Sequence, residues 1–328
     1  MSSNKAQLVS VIIPTRNRAY ILRSAIQSIL RQTYNNLEIV IVDDNSTDST
    51  SKVVEKIAKD NHNIKYIRND IHKGLPASRN IGLSYAKGNL IFFSEDDLIL
   101  MPNTIEILVK TYSALSKRYK VGAVAPRLIL VSSAKFYSPL HEYAKIIGYF
   151  NMLTGDPRVN YDVETSHILL SEHPPATSLI PRDIFNTVGT YYTGYKYTYY
   201  YEESDLYYRI SKHGFIMFYQ PSAVAFHVSG NPGGCTVGTI KRHFANVYNL
   251  MIFDFRMFGV SAIPRIIAYV LKKIEKIHYI NNPRKEFEKV STIDKIGFKY
   301  SYVKLLMKYK SFLKIYEIKT ASCISTGI

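Results

Sequence analysis

The amino-acid sequence predicts an α/β fold. A mostly parallel central sheet is flanked by helices and followed by a C-terminal helical extension. Three observations carry the prediction. Short apolar runs alternate with stretches of helical periodicity from residue 8 to residue 115. Two of the runs are almost wholly apolar, which suits strands buried on both faces. Polar clusters directly follow three of the runs, at the place where an open α/β sheet binds its ligands.

Residues 8–13 (LVSVII) form a β-branched run ended by Pro14. Ile21, Leu22, Ala25, Ile26, Ile29 and Leu30 then recur at helical spacing. Residues 37–42 (LEIVIV) are a second strand, followed by a turn-rich stretch and an amphipathic helix through Val53, Val54 and Ile57. Residues 64–67 are a third strand and residues 75–86 a third helix. Residues 90–93 (LIFF) are a fourth strand. Pro102 stands at the first turn of a helix whose buried stripe is Ile105, Leu108, Val109, Tyr112 and Leu115.

The second half is less regular. Residues 121–131 read as a strand, and residues 132–173 as a variable insertion rich in Tyr, His and Pro. Helices are expected at 181–188 and 201–213, with a long strand or strand pair at 215–227. The pattern divides the chain into a catalytic domain at 1–228 and a basic, aromatic helical region at 229–328. Within the first, residues 8–130 are expected to bind nucleotide and residues 131–228 acceptor.

Cys235 and Cys323 are too few and too distant for a disulfide framework or a zinc site. The first residues lack a secretion-signal pattern, and no uninterrupted apolar run is long enough to span a bilayer. A cytoplasmic protein is expected. The formal net charge is +16, and residues 229–328 hold 17 Lys and Arg against 6 Asp and Glu. Such a balance suits anionic lipid, phosphorylated ligands or nucleic acid, and equally a solvated basic face. No nucleic-acid-binding fingerprint is present. The strand-end clusters are also acidic, the wrong sign for a phosphate crevice without metal.

Those clusters are residues 14–18 (PTRNR), 43–46 (DDNS) and Glu95-Asp96-Asp97. Parallel strands place all three on one sheet edge. Neighbouring carboxylates repel, and an oxygen-preferring divalent cation, Mg²⁺ or Mn²⁺, relieves the repulsion. An acidic helix start would explain Glu95–Asp97 in isolation. The coincidence with two further clusters favours the cation.

Four segments in register, VSVIIPTRN, LEIVIVDDNSTDST, ASRNIGLSYAKGNLIFFSEDD and YEESDLYYRI, resemble glycosyltransferase family 2, the inverting enzymes of GT-A fold. The resemblance covers about two thirds of the chain. It implies a Rossmann-like nucleotide-binding sheet, a nucleotide-diphosphate sugar donor and a bound divalent cation. It places Pro14, Thr15 and Arg16 along the nucleotide, Asp44 at the base or ribose, and Arg79 near the diphosphate. Asp96 and Asp97 match the metal motif, with Asp97 the direct ligand, and His227 matches a histidine that approaches metal or diphosphate. Glu95 stands where the family's motif has Asp, and Glu202-Glu203 where it usually has Glu-Asp.

On a helix, Glu203 shares a face with Leu206, Tyr207 and Ile210, while Glu202 shares one with Asp205 and Arg209. Glu203 is therefore expected to point inward as the general base, and Glu202 to be solvated. The acceptor is expected to be a glycan or a lipid-linked hydroxyl. Residues 258–273, apolar with flanking cations, suit peripheral contact with an anionic membrane at its inner face, and equally a helical pair packed on the catalytic domain. The two motif departures keep open a catalytically silent nucleotide-sugar-binding homologue, which donor hydrolysis with Mn²⁺ would separate from an enzyme.

Overall fold

The structure is a computed structural model describing residues 7–132, 135–136, 146–150, 157–228 and 239–271. Residues 1–269 form one compact unit and residues 270–328 a second, of which only 270 and 271 are described.

The first half alternates strand and helix as its apolar periodicity requires. β1 (Val9–Thr15), α1 (Ala19–Leu30), β2 (Leu37–Asp43), α2 (Thr50–Ala58), β3 (Ile64–Arg68), α3 (Leu75–Tyr85) and β4 (Leu90–Phe93) follow in order. The strands pair in parallel in the order β3-β2-β1-β4. β1 is buried along its whole length, and so is β4. Period-2 alternation divides its side chains between two apolar layers. Val9, Val11 and Ile13 pack with Leu22, Ile26 and Ile29 of α1, whereas Ile12 packs with Leu83 of α3.

Beyond β4 come β5 (Leu98–Leu100), α4 (Thr104–Leu115) and β6 (Val121–Ser132). Pro102 lies in the turn just before α4, not inside its first turn. Short strands β7 (Lys135–Phe136), β8 (Ile146–Ile147), β9 (Tyr149–Phe150), β10 (Pro157–Arg158) and β11 (Leu169–Ser171) occupy the stretch expected as an insertion. The helix expected at 181–188 is present but shorter, α5 (Ile184–Val188), and a strand not expected, β12 (Leu179–Pro181), precedes it. β12 is antiparallel to both β4 and β6, so it turns the parallel half into a mixed sheet. Three buried residues are too few to show periodicity in sequence.

α6 (Glu202–Lys212) matches its predicted span, and residues 216–228 are a single long strand, β13 (Ile216–Val228), parallel to β6. β5 pairs with the end of β13, setting Leu98 opposite His227. α7 (Thr239–Phe258) then lays Leu250 and Phe253 against Tyr195 and Tyr201 in a separate aromatic cluster. No helix among the described residues is long and apolar enough to cross a membrane.

Candidate active site

The sheet order changes direction at β1: β2 lies on one side of it and β4 on the other. The loops after β1, β2 and β4 therefore open at one edge, outside the carboxyl ends of the strands. Two of these loops are tied together. The Asn17 backbone N–H donates to Ser46 Oγ at 2.9 Å, and the Thr47 N–H donates to Asn17 Oδ1 at 2.7 Å. Asn17 and Asn45 both take the left-handed backbone (φ 54° and 58°), which Asn tolerates best among non-glycine residues.

Asp44 is buried and accepts from Asn69 Nδ2 (2.9 Å) and from the backbone N–H groups of Lys73 and Gly74 (2.8 Å each). His72 Nδ1 lies 2.6 Å away. Burial raises its pKa, but these donors prevail and hold it below the ordinary carboxylate value. Asp44 thus gathers the loop before α3. Gly74, at φ 92°, lies against the Tyr199 ring, where a side chain would collide.

After β4 the three acidic side chains diverge. Asp96 accepts from Thr15 Oγ1 (2.8 Å) and from Arg18 Nη1 (3.0 Å). Its burial, with Asp97 alongside, pushes the carboxyl up to about 7 despite Arg18. Asp97 pairs with the same guanidinium and, at 3.3 Å, with His227 Nε2. Burial works against the Asp97 anion, yet His227 and Arg18 lower its pKa. Glu95 Oε2 lies 3.5 Å from His227 Nε2. Burial disfavours the imidazolium, but Asp97 and Glu95 raise its pKa to about 9.

Glu95, Asp97 and His227 bring one ligand atom each within 4.8 Å of one another. Two carboxylates and an imidazole form a donor set suited to a divalent cation such as Mn²⁺. His227 reaches it because β5 pairs with β13 and because the Val228 N–H donates to the Asp97 carbonyl at 3.0 Å. Sequence places Asp96 and Asp97 in one metal motif. In the fold Arg18 contacts both, but Asp96 turns toward Thr15 while Glu95, not Asp96, joins Asp97 and His227.

Glu95 also lies 3.4 Å from Arg79 Nη2, and Arg79, fully enclosed, is ion-paired to Glu202. The expectation that Glu202 is solvated is therefore wrong. It is 2% exposed, and Asp205 on the same side is wholly buried between Arg209 (2.6 Å) and Arg256 of α7 (2.7 Å). α6 is covered on both flanks, which an amphipathic pattern alone does not reveal. Glu203 is half-buried. Burial raises its carboxyl pKa, Arg79 opposes the rise and Glu95 adds to it, so Glu203 shares the electrostatic field of the Arg79–Glu95 group.

The segment leading into α6 is strained. Tyr197, Tyr199 and Tyr201 have φ of 62°, 52° and 79°, costing about 1–3 kcal/mol each. α7 holds it in place: Asn249 exchanges two 3.0 Å hydrogen bonds with the Lys196 backbone, and Thr198 Oγ1 donates to Asn246 Oδ1 at 2.9 Å. Behind Glu203, buried His173 contacts Ser204 Oγ (2.7 Å) and the Tyr161 hydroxyl (2.6 Å).

Asp44, whose N–H donates to the Thr15 carbonyl at 2.9 Å, is thus linked with Asp96, Asp97, His227 and Arg79 through Thr15, Arg18 and Glu95, and Glu203 feels the charges of Arg79 and Glu95. Pro14 lies in β1 opposite Val42, and Arg16 is half-buried in the loop that follows. Arg18, Glu95 and Glu202 carry no assigned role from sequence alone. Arg18 belongs to the 14–18 cluster, and its spacing from Arg16 was the one available signal.

Residues 10–162 match the family model described as Glycosyl transferase family 2. Over 103 residues the chain is 41% identical to GalNAc(5)-diNAcBac-PP-undecaprenol beta-1,3-glucosyltransferase of Campylobacter jejuni, covering 31% of this chain and 33% of that protein. It is 38% identical over 102 residues to UDP-Glc:alpha-D-GlcNAc-diphosphoundecaprenol beta-1,3-glucosyltransferase of Escherichia coli, covering 31% and 40% respectively. The chain therefore spans about a third of the first relative and two fifths of the second. Among solved structures, that of GalNAc-T7 with UDP, GalNAc and Mn²⁺ aligns with a TM-score of 0.63 at 18% identity. That alignment covers 94% of this chain and 59% of the other, and it supports the GT-A fold.

Proposed function

We propose that the chain, whose residues 10–162 match the model of glycosyltransferase family 2, is a metal-dependent, inverting transferase of that family. Its donor is a nucleotide-diphosphate sugar and its acceptor a hydroxyl of a lipid-linked glycan. The observation that carries the reading is the convergence of Glu95, Asp97 and His227 at the sheet edge beside Glu203. Two relatives named for undecaprenol-linked glycans support the acceptor class.

Glu95, Asp97 and His227 would hold the divalent cation, which when bound offsets the charge developing on the diphosphate leaving group. The residues of the chain do the remaining work. Asp44 fixes the 72–74 loop and, with Pro14, Thr15 and Arg16, lines the nucleotide. Arg18 spans Asp96 and Asp97, keeping both carboxylates oriented. Arg79 positions Glu202 and Glu95, which fixes the start of α6 relative to β4. Glu203 accepts the proton of the acceptor hydroxyl as that oxygen attacks the anomeric carbon. Its raised pKa makes it a better proton acceptor than an ordinary carboxylate.

Two variants test the assignment with Mn²⁺ and a panel of nucleotide sugars. Asp97→Asn is expected to remove metal-dependent donor binding and turnover together. Glu203→Gln is expected to keep donor affinity and lower turnover by about 10²–10⁴-fold. Full turnover in Glu203→Gln would place the base elsewhere.

A further inference from the structure

The outward face of a packed helix ordinarily carries the charges. α7 departs from this arrangement: its inner face packs Leu250 and Phe253 against the domain, yet its outer face is apolar as well. Its inner face includes Asn249 and Asp254, both wholly buried, with Asp254 Oδ1 3.5 Å from Arg265 Nη1. Its outer face presents Phe244, Tyr248, Met251 and Phe255, at helical spacings of four, three and four. Phe244 is 74% exposed, and the apolar surface continues through Val260 (80%), Ile263 and Ile267.

The charge on this surface has one sign. Between residues 239 and 271 the sole acidic residue is the buried Asp254, whereas Lys241 and Arg242 are exposed. An exposed apolar stripe beside a cation, with no exposed carboxylate among the described residues 239–271, matches the chemistry of one partner.

We infer that the outer face of α7 and the turn after it dock on an anionic lipid bilayer. Phe244, Tyr248, Met251, Phe255, Val260 and Ile263 enter the boundary between headgroups and acyl chains, while Lys241, two turns before Tyr248 on the same side of the helix, meets lipid phosphates. A second copy of the chain fits less well. A two-fold contact through this face would bring basic residues together without a carboxylate to answer them. Because the inner face of α7 packs on the segment leading into α6, docking also holds Glu203 near a membrane-borne acceptor. That last step rests on the transfer proposal.

The test uses the full chain without donor or acceptor, so its failure is distinguishable from failure of the transfer proposal. Co-sedimentation is measured with phosphatidylcholine vesicles, with and without phosphatidylglycerol. The chain is expected to partition onto the anionic vesicles, and Lys241→Glu to weaken binding by about tenfold or more. Phe244→Ser with Phe255→Ser is expected to weaken it by at least about tenfold while leaving the unfolding midpoint unchanged, since both rings face solvent. Absence of vesicle binding, or binding by these variants as tight as that of the unaltered chain, overturns the proposal. So does a concentration-dependent dimer that Phe244→Ser with Phe255→Ser dissolves, since the face would then belong to a second copy.

Discussion

Buried charges persist only where opposite charges answer them, and this site is arranged by that rule. Arg18 serves two carboxylates, His227 serves two, and Arg79 serves Glu95 and Glu202. His173 is the contrasting case, a buried imidazole kept neutral. Burial lowers its pKa to about 4, from the ordinary 6.5. The unfolded chain therefore binds a proton that the folded chain refuses between those values. Stability from this residue is complete above pH 6.5 and declines as pH falls toward 4, by about 1.4 kcal/mol per unit of pKa difference. Thermal unfolding followed across that range is expected to show a flatter acid slope in His173→Gln. An unchanged slope would mean the imidazole is not held neutral. At this scale the sequence marks residue types well and partners poorly. Glu202 reads as solvated because Arg79, 123 residues earlier, is invisible to a helical wheel.

α7 braces the start of α6, which bears Glu202 and Glu203. Phe253 is 1% exposed and stacks on Phe150 (5.7 Å between centroids) and on Tyr201 (5.3 Å), the residue just before α6. Phe253→Ala is expected to cost about 3–5 kcal/mol through the cavity it leaves. It should also lower turnover more than donor affinity, because Tyr201 then loses what holds its left-handed backbone. Denaturant unfolding and the separate measurement of kcat and KM check both outcomes. The long periodic elements α1, α4, α6 and β13 are legible in sequence. β5 and β12, three residues each, carry no period, yet β5 is what brings His227 to Asp97.

For the whole molecule, the order β3-β2-β1-β4 makes one edge the meeting place of three loops. A ligand gripping all three stabilises the folded state by mass action, about 2.7 kcal/mol at a hundred times its Kd. A panel of nucleoside diphosphates with Mn²⁺ is expected to raise the unfolding temperature for one base above the others. The rise should require the metal and vanish in Asp97→Asn. A shift independent of Mn²⁺ would detach nucleotide binding from the Glu95–Asp97–His227 group.

The sequence by itself determined the parallel half of the sheet, since strands buried on both faces must be apolar almost throughout, and with it the edge where Thr15, Asp44 and Asp97 emerge. Only the tertiary structure decided which of those side chains act together. It turned Asp97, but not Asp96, toward Glu95 and His227, which together could hold a cation, and buried Glu202 against Arg79. Periodicity records which face of an element is covered, whereas ion pairing depends on which distant element covers it.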